Sequence, residues 1–126
     1  MTAPLILVVE DNETNQMLTV AVLQRDGYRV AVAGNAEEAR QHIAAAIPDL
    51  ILMDIQLPGE DGLALTRELK QDAATCAIPV VAMTAHAMHG DAEIALAAGC
   101  NGYIAKPFDT RSLADLVRKH LAAVAR

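Results

Sequence analysis

The stretch Asp49-Leu50-Ile51-Leu52-Met53-Asp54-Ile55-Gln56-Leu57-Pro58 decides the fold. Four large apolar residues stand in a row, with no polar residue between them and a carboxylate at the end. A strand solvated on one face alternates apolar with polar residues, whereas a strand covered on both faces reads as one continuous apolar run. Leu50 to Met53 is therefore expected to be a central, doubly covered strand, with Asp54 at its tip and a turn through Pro58-Gly59.

Runs of the same kind lie on either side. Leu5 to Val9 leads into Glu10-Asp11, and Val80 to Met83 leads into Thr84. Weaker runs at Val30 to Ala33 and Tyr103 to Ala105 are also read as strands buried on both faces, the last leading into Lys106-Pro107. Helical stripes fill the gaps: Ala36, Ala39, Ile43, Ala46 and Ile47; Leu65 and Leu69; Leu113, Leu116, Val117, Leu121 and Val124. Asn15 to Gln24 is apolar nearly all round, and Asp91 to Ala98 reads as a short Ala-rich helix. Five strand-then-helix units demand parallel strands joined by right-handed crossovers, with helices on both faces. The expected fold is α/β, a doubly wound five-stranded parallel sheet in one domain over residues 1–126, with no output domain attached.

Composition narrows the function classes. With 53% hydrophobic and 21% charged residues the chain is an ordinary globular domain. A net charge of -6 and only three aromatic residues, Tyr28, Tyr103 and Phe108, speak against a nucleic-acid partner, which needs basic side chains and stacking platforms. The apolar runs fall far short of the roughly 20 residues that span a bilayer, and the start Met-Thr-Ala-Pro has no signal-peptide pattern, so no membrane role and a cytoplasmic location are expected. Cys76 and Cys100 have no motif spacing and read as reduced, core-filling thiols.

In an open parallel sheet, ligands bind beyond the carboxyl ends of the strands. Those ends bring Glu10, Asp11, Asp54, Thr84 and Lys106 to one edge. Three carboxylates packed together repel one another unless a cation intervenes, and an all-oxygen donor set favours a hard ion such as Mg²⁺. A lone ammonium and a hydroxyl suit a phosphoryl group, and an aspartate can accept one as an acyl phosphate, with Asp54 the candidate. Asp11 or Asn12 could alternatively serve as a plain helix cap.

The motifs Leu7-Val8-Val9-Glu10-Asp11-Asn12, Asp49 through Pro58 with Asp61-Gly62, Thr84-Ala85 and Lys106-Pro107-Phe108 resemble the receiver domain of bacterial two-component response regulators, along essentially the whole chain. Among such proteins the sequence is most similar to stand-alone cell-cycle regulators and hybrid-kinase receiver modules. The resemblance implies a flavodoxin-like sheet with strand order 2-1-3-4-5. It implies that Asp54 takes phosphoryl from a phosphohistidine on a histidine kinase or histidine phosphotransfer protein. Glu10, Asp11, Asp54 and the backbone carbonyl of Gln56 would hold Mg²⁺, and Lys106 would neutralise the phosphoryl group. Thr84 and Tyr103 would form the switch, with Ala85 small enough to let it move, and Gln56 and His86 would tune the acyl-phosphate lifetime. The Lys106–Pro107 peptide is expected cis, which only an X-Pro bond tolerates cheaply. A downstream protein target would meet the face of the fourth helix, fifth strand and fifth helix. Glu10 departs from the commoner Asp-Asp pair.

Beside the site, His42, His89 and His120 read as solvated, as do Arg111, Arg118, Lys119 and Arg126 near the last helix. The surplus apolar face of the first helix suits docking of the phosphohistidine bundle. Such a chain would be no enzyme beyond its own phosphorylation and slow dephosphorylation. Two other classes compete: an unphosphorylated receiver-like scaffold, and a phosphohydrolase of the haloacid-dehalogenase kind. The latter needs a second Asp two residues past the nucleophile, where this chain has Gln56.

Overall fold

The computed structural model of the chain describes residues 3–57, 59, 61–84, 90–106 and 109–124. The apolar runs become strands β1 (Leu5–Val9), β2 (Arg29–Ala33), β3 (Leu50–Asp54), β4 (Val80–Thr84) and β5 (Gly102–Ala105). The stripes between them become helices α1 (Glu13–Arg25), α2 (Ala36–Ala45), α3 (Gly62–Gln71), α4 (Asp91–Ala97) and α5 (Thr110–Val124). All strand pairs are parallel, in the order β2-β1-β3-β4-β5. The expected doubly wound α/β sheet is thus what the chain forms. None of the helices, among the described residues, is long and apolar enough to cross a membrane.

Alternate residues of each strand face opposite ways, so the sheet divides the core in two. Leu7, Val9, Ile51, Met53, Val80 and Ala82 pack with Ala39, Ile43, Leu65, Leu69 and Ala95 from α2, α3 and α4. Ile6, Val8, Leu50, Leu52, Val81 and Met83 pack on the other face with Val22 and Leu23 of α1 and Leu113 and Val117 of α5. This double covering explains the continuous apolar runs: every residue of β3 and β4 is buried, Asp54 and Thr84 included.

Several expectations are corrected. The strands β2 and β5 are not buried on both faces; they are the sheet edges, Val30, Ala31 and Val32 are half-buried, and Tyr103 is 43% exposed. The α2 stripe ends early, because the helix stops at Ala45 and Ile47 lies exposed beyond it. Cys76 is exposed and only Cys100 fills the core. His120 is not simply solvated: its ring packs over Gly102, where an added Cβ would come within 2.7 Å of Nε2. Burial, with a smaller push from the Lys119 charge, lowers its pKa. The exposure of His42 agrees with expectation. His89, Arg126 and the side chain of Val124 lie outside the described residues.

Candidate functional site

Because β1 and β3 are neighbours in parallel register, with Val9 beside Met53, the residues that follow leave the sheet at the same edge. Glu10 and Asp54 are therefore brought together although 44 positions separate them in sequence. Carboxylate oxygens of Glu10, Asp11 and Asp54 all lie within 4.8 Å of one another. Glu10 is 1% exposed and Asp54 4%, whereas Asp11 is open to solvent. The cap of α1 is Asn12, its side-chain oxygen accepting from the Asn15 N–H at 3.0 Å, and not Asp11.

The fifth strand delivers the cation. Pairing of Thr84 with Ala105 carries the chain to Lys106, whose backbone N–H donates to the Thr84 carbonyl at 2.7 Å. Its ammonium reaches across the sheet edge to Glu10 Oε1 at 2.7 Å and to Asp54 Oδ2 at 3.0 Å. Burial works against the charge on Lys106, but the hydrogen bonds it donates to Glu10 and Asp54, together with the charges of both carboxylates, outweigh it and hold the ammonium above its ordinary pKa. The remaining acceptors are partly engaged by the backbone: Asn12 N–H donates to Glu10 Oε2 at 3.2 Å and Gln56 N–H to Asp54 Oδ1 at 2.9 Å. From α1, the Gln16 amide donates to the Glu10 carbonyl oxygen.

The backbone under Asp54 is fixed from below. Asp61 caps α3 through the Leu63 N–H at 2.9 Å, and the following Gly62 lies so close to β3 that an added Cβ would overlap the carbonyl oxygen of Asp54 and stand 3.0 Å from Ile55 Cα. The Asp61-Gly62 pair is therefore a cap followed by an obligatory close approach.

Thr84 ends β4 buried, with its hydroxyl donating to Asp91 Oδ2 at 3.1 Å. That partner was not foreseen, since an acidic residue in a first helical turn has an ordinary explanation in the helix dipole. Tyr103 stands on the edge strand with its ring turned outward, next to the buried Ile104. Gln56 is exposed just past Asp54. Ala85, His86, Pro107 and Phe108, and with them the cis peptide, lie outside the described residues.

Formally the three carboxylates and one ammonium leave two negative charges uncompensated, the amount one divalent cation carries. An all-oxygen donor set of this charge and spacing fits Mg²⁺ or a similar hard ion.

A family model described as the response regulator receiver domain matches residues 6–118. The polar-differentiation response regulator DivK of Brucella anthropi is 40% identical over 116 residues, covering 92% of this chain and 94% of that protein. Among solved structures, the receiver domain of the sensor histidine kinase PA1611 from Pseudomonas aeruginosa, with a magnesium ion coordinated in its active site cleft, is 37% identical. It superposes with a TM-score of 0.88, over 96% of this chain and 99% of that one. The signal receiver domain of a histidine kinase from Syntrophus aciditrophicus is 34% identical with a TM-score of 0.91, over 98% and 94% of the two chains.

Proposed function

This chain belongs to the response regulator receiver domain family, and from that premise we propose that Asp54 is the phosphoacceptor of a two-component phosphorelay, charged by a phosphohistidine on a histidine kinase or histidine phosphotransfer protein. The observation that supports this reading is the Lys106 ammonium held 2.7 Å from the buried Glu10 and 3.0 Å from the buried Asp54. Phosphoryl transfer asks for position and charge stabilisation more than for covalent help. An Asp54 oxygen forms the new P–O bond while the P–N bond to imidazole breaks and the imidazole retains the electron pair. Lys106 stands where the added charge on the acyl phosphate arises.

Glu10, Asp11, Asp54 and the Gln56 carbonyl would hold Mg²⁺; when bound, the ion supplies the compact charge that lets an anionic phosphoryl group approach an anionic aspartate. Asp54 would be placed for that approach by Gly62 beneath it and by the Gln56 N–H on Oδ1. Once the phosphoryl group is attached, the Thr84 hydroxyl would turn to it and Tyr103, now outward, would move in. Gln56, two residues past Asp54, and His86, two past Thr84, would set its lifetime. The face of α4, β5 and α5 would then meet a downstream protein target, and the exposed Met17 and Leu18 of α1 suit the phosphohistidine donor. Such a switch works in the cytoplasm and turns over no substrate but its own phosphoryl group.

Incubation with acetyl phosphate and Mg²⁺ should add one phosphoryl group by mass, and Asp54→Asn should abolish the addition. Equal modification of the variant would refute the assignment of Asp54.

A further inference from the structure

The two ends of α4 are held in different ways. Its C-terminal end is bolted to the rest of the fold through Lys70 of α3. The Lys70 ammonium donates to the Ile78 carbonyl at 2.7 Å, the Asn101 side-chain oxygen at 2.9 Å and the Cys76 carbonyl at 3.3 Å. Its aliphatic stem lies against Gly99, whose φ of +109° turns the chain out of the helix. Asn101 is itself tied to β4, donating from its backbone to the Val80 carbonyl at 2.7 Å and accepting from the Val80 N–H at 3.0 Å.

Among the described residues, the N-terminal end has less. The helix is seven residues long, and its cap is Gly90, with a φ of +91° and no side chain to bond the first N–H groups. Ala92 and Ala95 are its buried residues, while Ile94 and Leu96 point outward. Here the Thr84 hydroxyl donates to Asp91 Oδ2 at 3.1 Å. A threonine hydroxyl carries one proton, and a carboxylate oxygen and a phosphoryl oxygen can only accept. Thr84 can therefore donate to Asp91 or to a phosphoryl group on Asp54, not to both.

We propose that Asp91 is a positioning residue for the switch: by accepting the Thr84 hydroxyl it holds the resting state, and its release frees the first turn of α4 to swing about the end bolted by Lys70. This deepens the reading above, since it rests on Asp54 as acceptor and Thr84 as the group that turns to the phosphoryl oxygen. The device links a buried strand end to an outward helix through one exchangeable proton. It also predicts that the resting state is disfavoured, and phosphorylation favoured, when the acceptor on α4 is removed.

The test uses the full chain with Asp91→Ala, with Asp91→Asn as the variant that keeps an acceptor oxygen, and with Glu93→Ala as a first-turn acid of α4 that does not contact Thr84. Each is made alone and with Thr84→Val. Asp91→Ala should speed phosphorylation by acetyl phosphate and Mg²⁺ about fivefold and move the amide resonances of α4 and β5, without any phosphoryl donor, part of the way to their phosphorylated positions. Asp91→Asn and Glu93→Ala should stay within about twofold of the parent, and in the Thr84→Val background the Asp91→Ala effect should vanish. The proposal is overturned if Asp91→Ala behaves like Glu93→Ala, or if its effect persists without the threonine hydroxyl. Should Asp91→Ala fail to fold, Asp91→Ser, too short to span the gap, takes its place under the same criteria. Failure of the underlying reading is seen separately, as phosphoryl uptake by Asp54→Asn.

Discussion

Gly62 and Asp54 meet backbone to backbone, and the first turn of α3 is seated on the carbonyl group of the residue that ends β3. No side chain lies between them to absorb a change. Gly62→Ala is therefore expected to lower stability by about 3 kcal/mol, through displacement of strand or helix rather than loss of any contact. Urea denaturation checks this, and a midpoint equal to that of the parent would exclude so tight a seat.

Three carboxylates around one ammonium repel one another while no cation is bound. Asp11→Asn should raise the stability of the metal-free protein by about 1 kcal/mol, as removal of functional strain commonly does. Addition of Mg²⁺ should raise the melting temperature of the parent and do so much less for the variant. Equal stabilisation of both proteins by Mg²⁺ would remove Asp11 from the ligand set.

The hydroxyl of Thr19, in α1, is buried and finds no hydrogen-bond partner among the described residues. Thr19→Val keeps the branched shape and discards the unpaired polar atom. A gain of about 1 kcal/mol in unfolding free energy is expected. A loss would mean that the hydroxyl serves the fold in some other way.

His120 titrates below its ordinary value because it is packed against the start of β5 beside Lys119. The unfolded chain then binds the proton more readily than the folded one. The stability associated with neutral His120 is complete above the unfolded value, near 6.5, and is lost as the pH falls through that value toward the folded one. Between pH 8 and 5 the parent should lose stability more steeply than His120→Gln. Parallel curves for the two proteins would show that the contact with Gly102 does not perturb the ring.

What the sequence disclosed and what it hid follow from the physics of each contact. Leu50 to Met53 announced itself because burial on both faces leaves no polar residue in the run. Glu10, Asp54 and Lys106 were legible because a parallel sheet delivers consecutive strand ends to one edge, so their meeting needed only the strand assignment. The edge strands β2 and β5 were overrated, since an edge residue can be apolar without being covered. Lys70 gave no signal at all: its partners are two backbone carbonyls and an asparagine oxygen, and backbone acceptors leave no trace in residue type. Asp91 was concealed differently, behind the common habit of acidic residues to begin helices.

The ammonium that completes the acidic cluster belongs to a residue 96 positions beyond its glutamate partner. Synthesis supplies the carboxylates well before the lysine. A chain still emerging from the ribosome thus carries Glu10, Asp11 and Asp54 before the Lys106 ammonium, and docking of β5 closes the constellation. If Asp54 is the phosphoacceptor, competence to be charged arrives only with completion of the sheet, and an unfinished copy would draw no phosphoryl group from a donor.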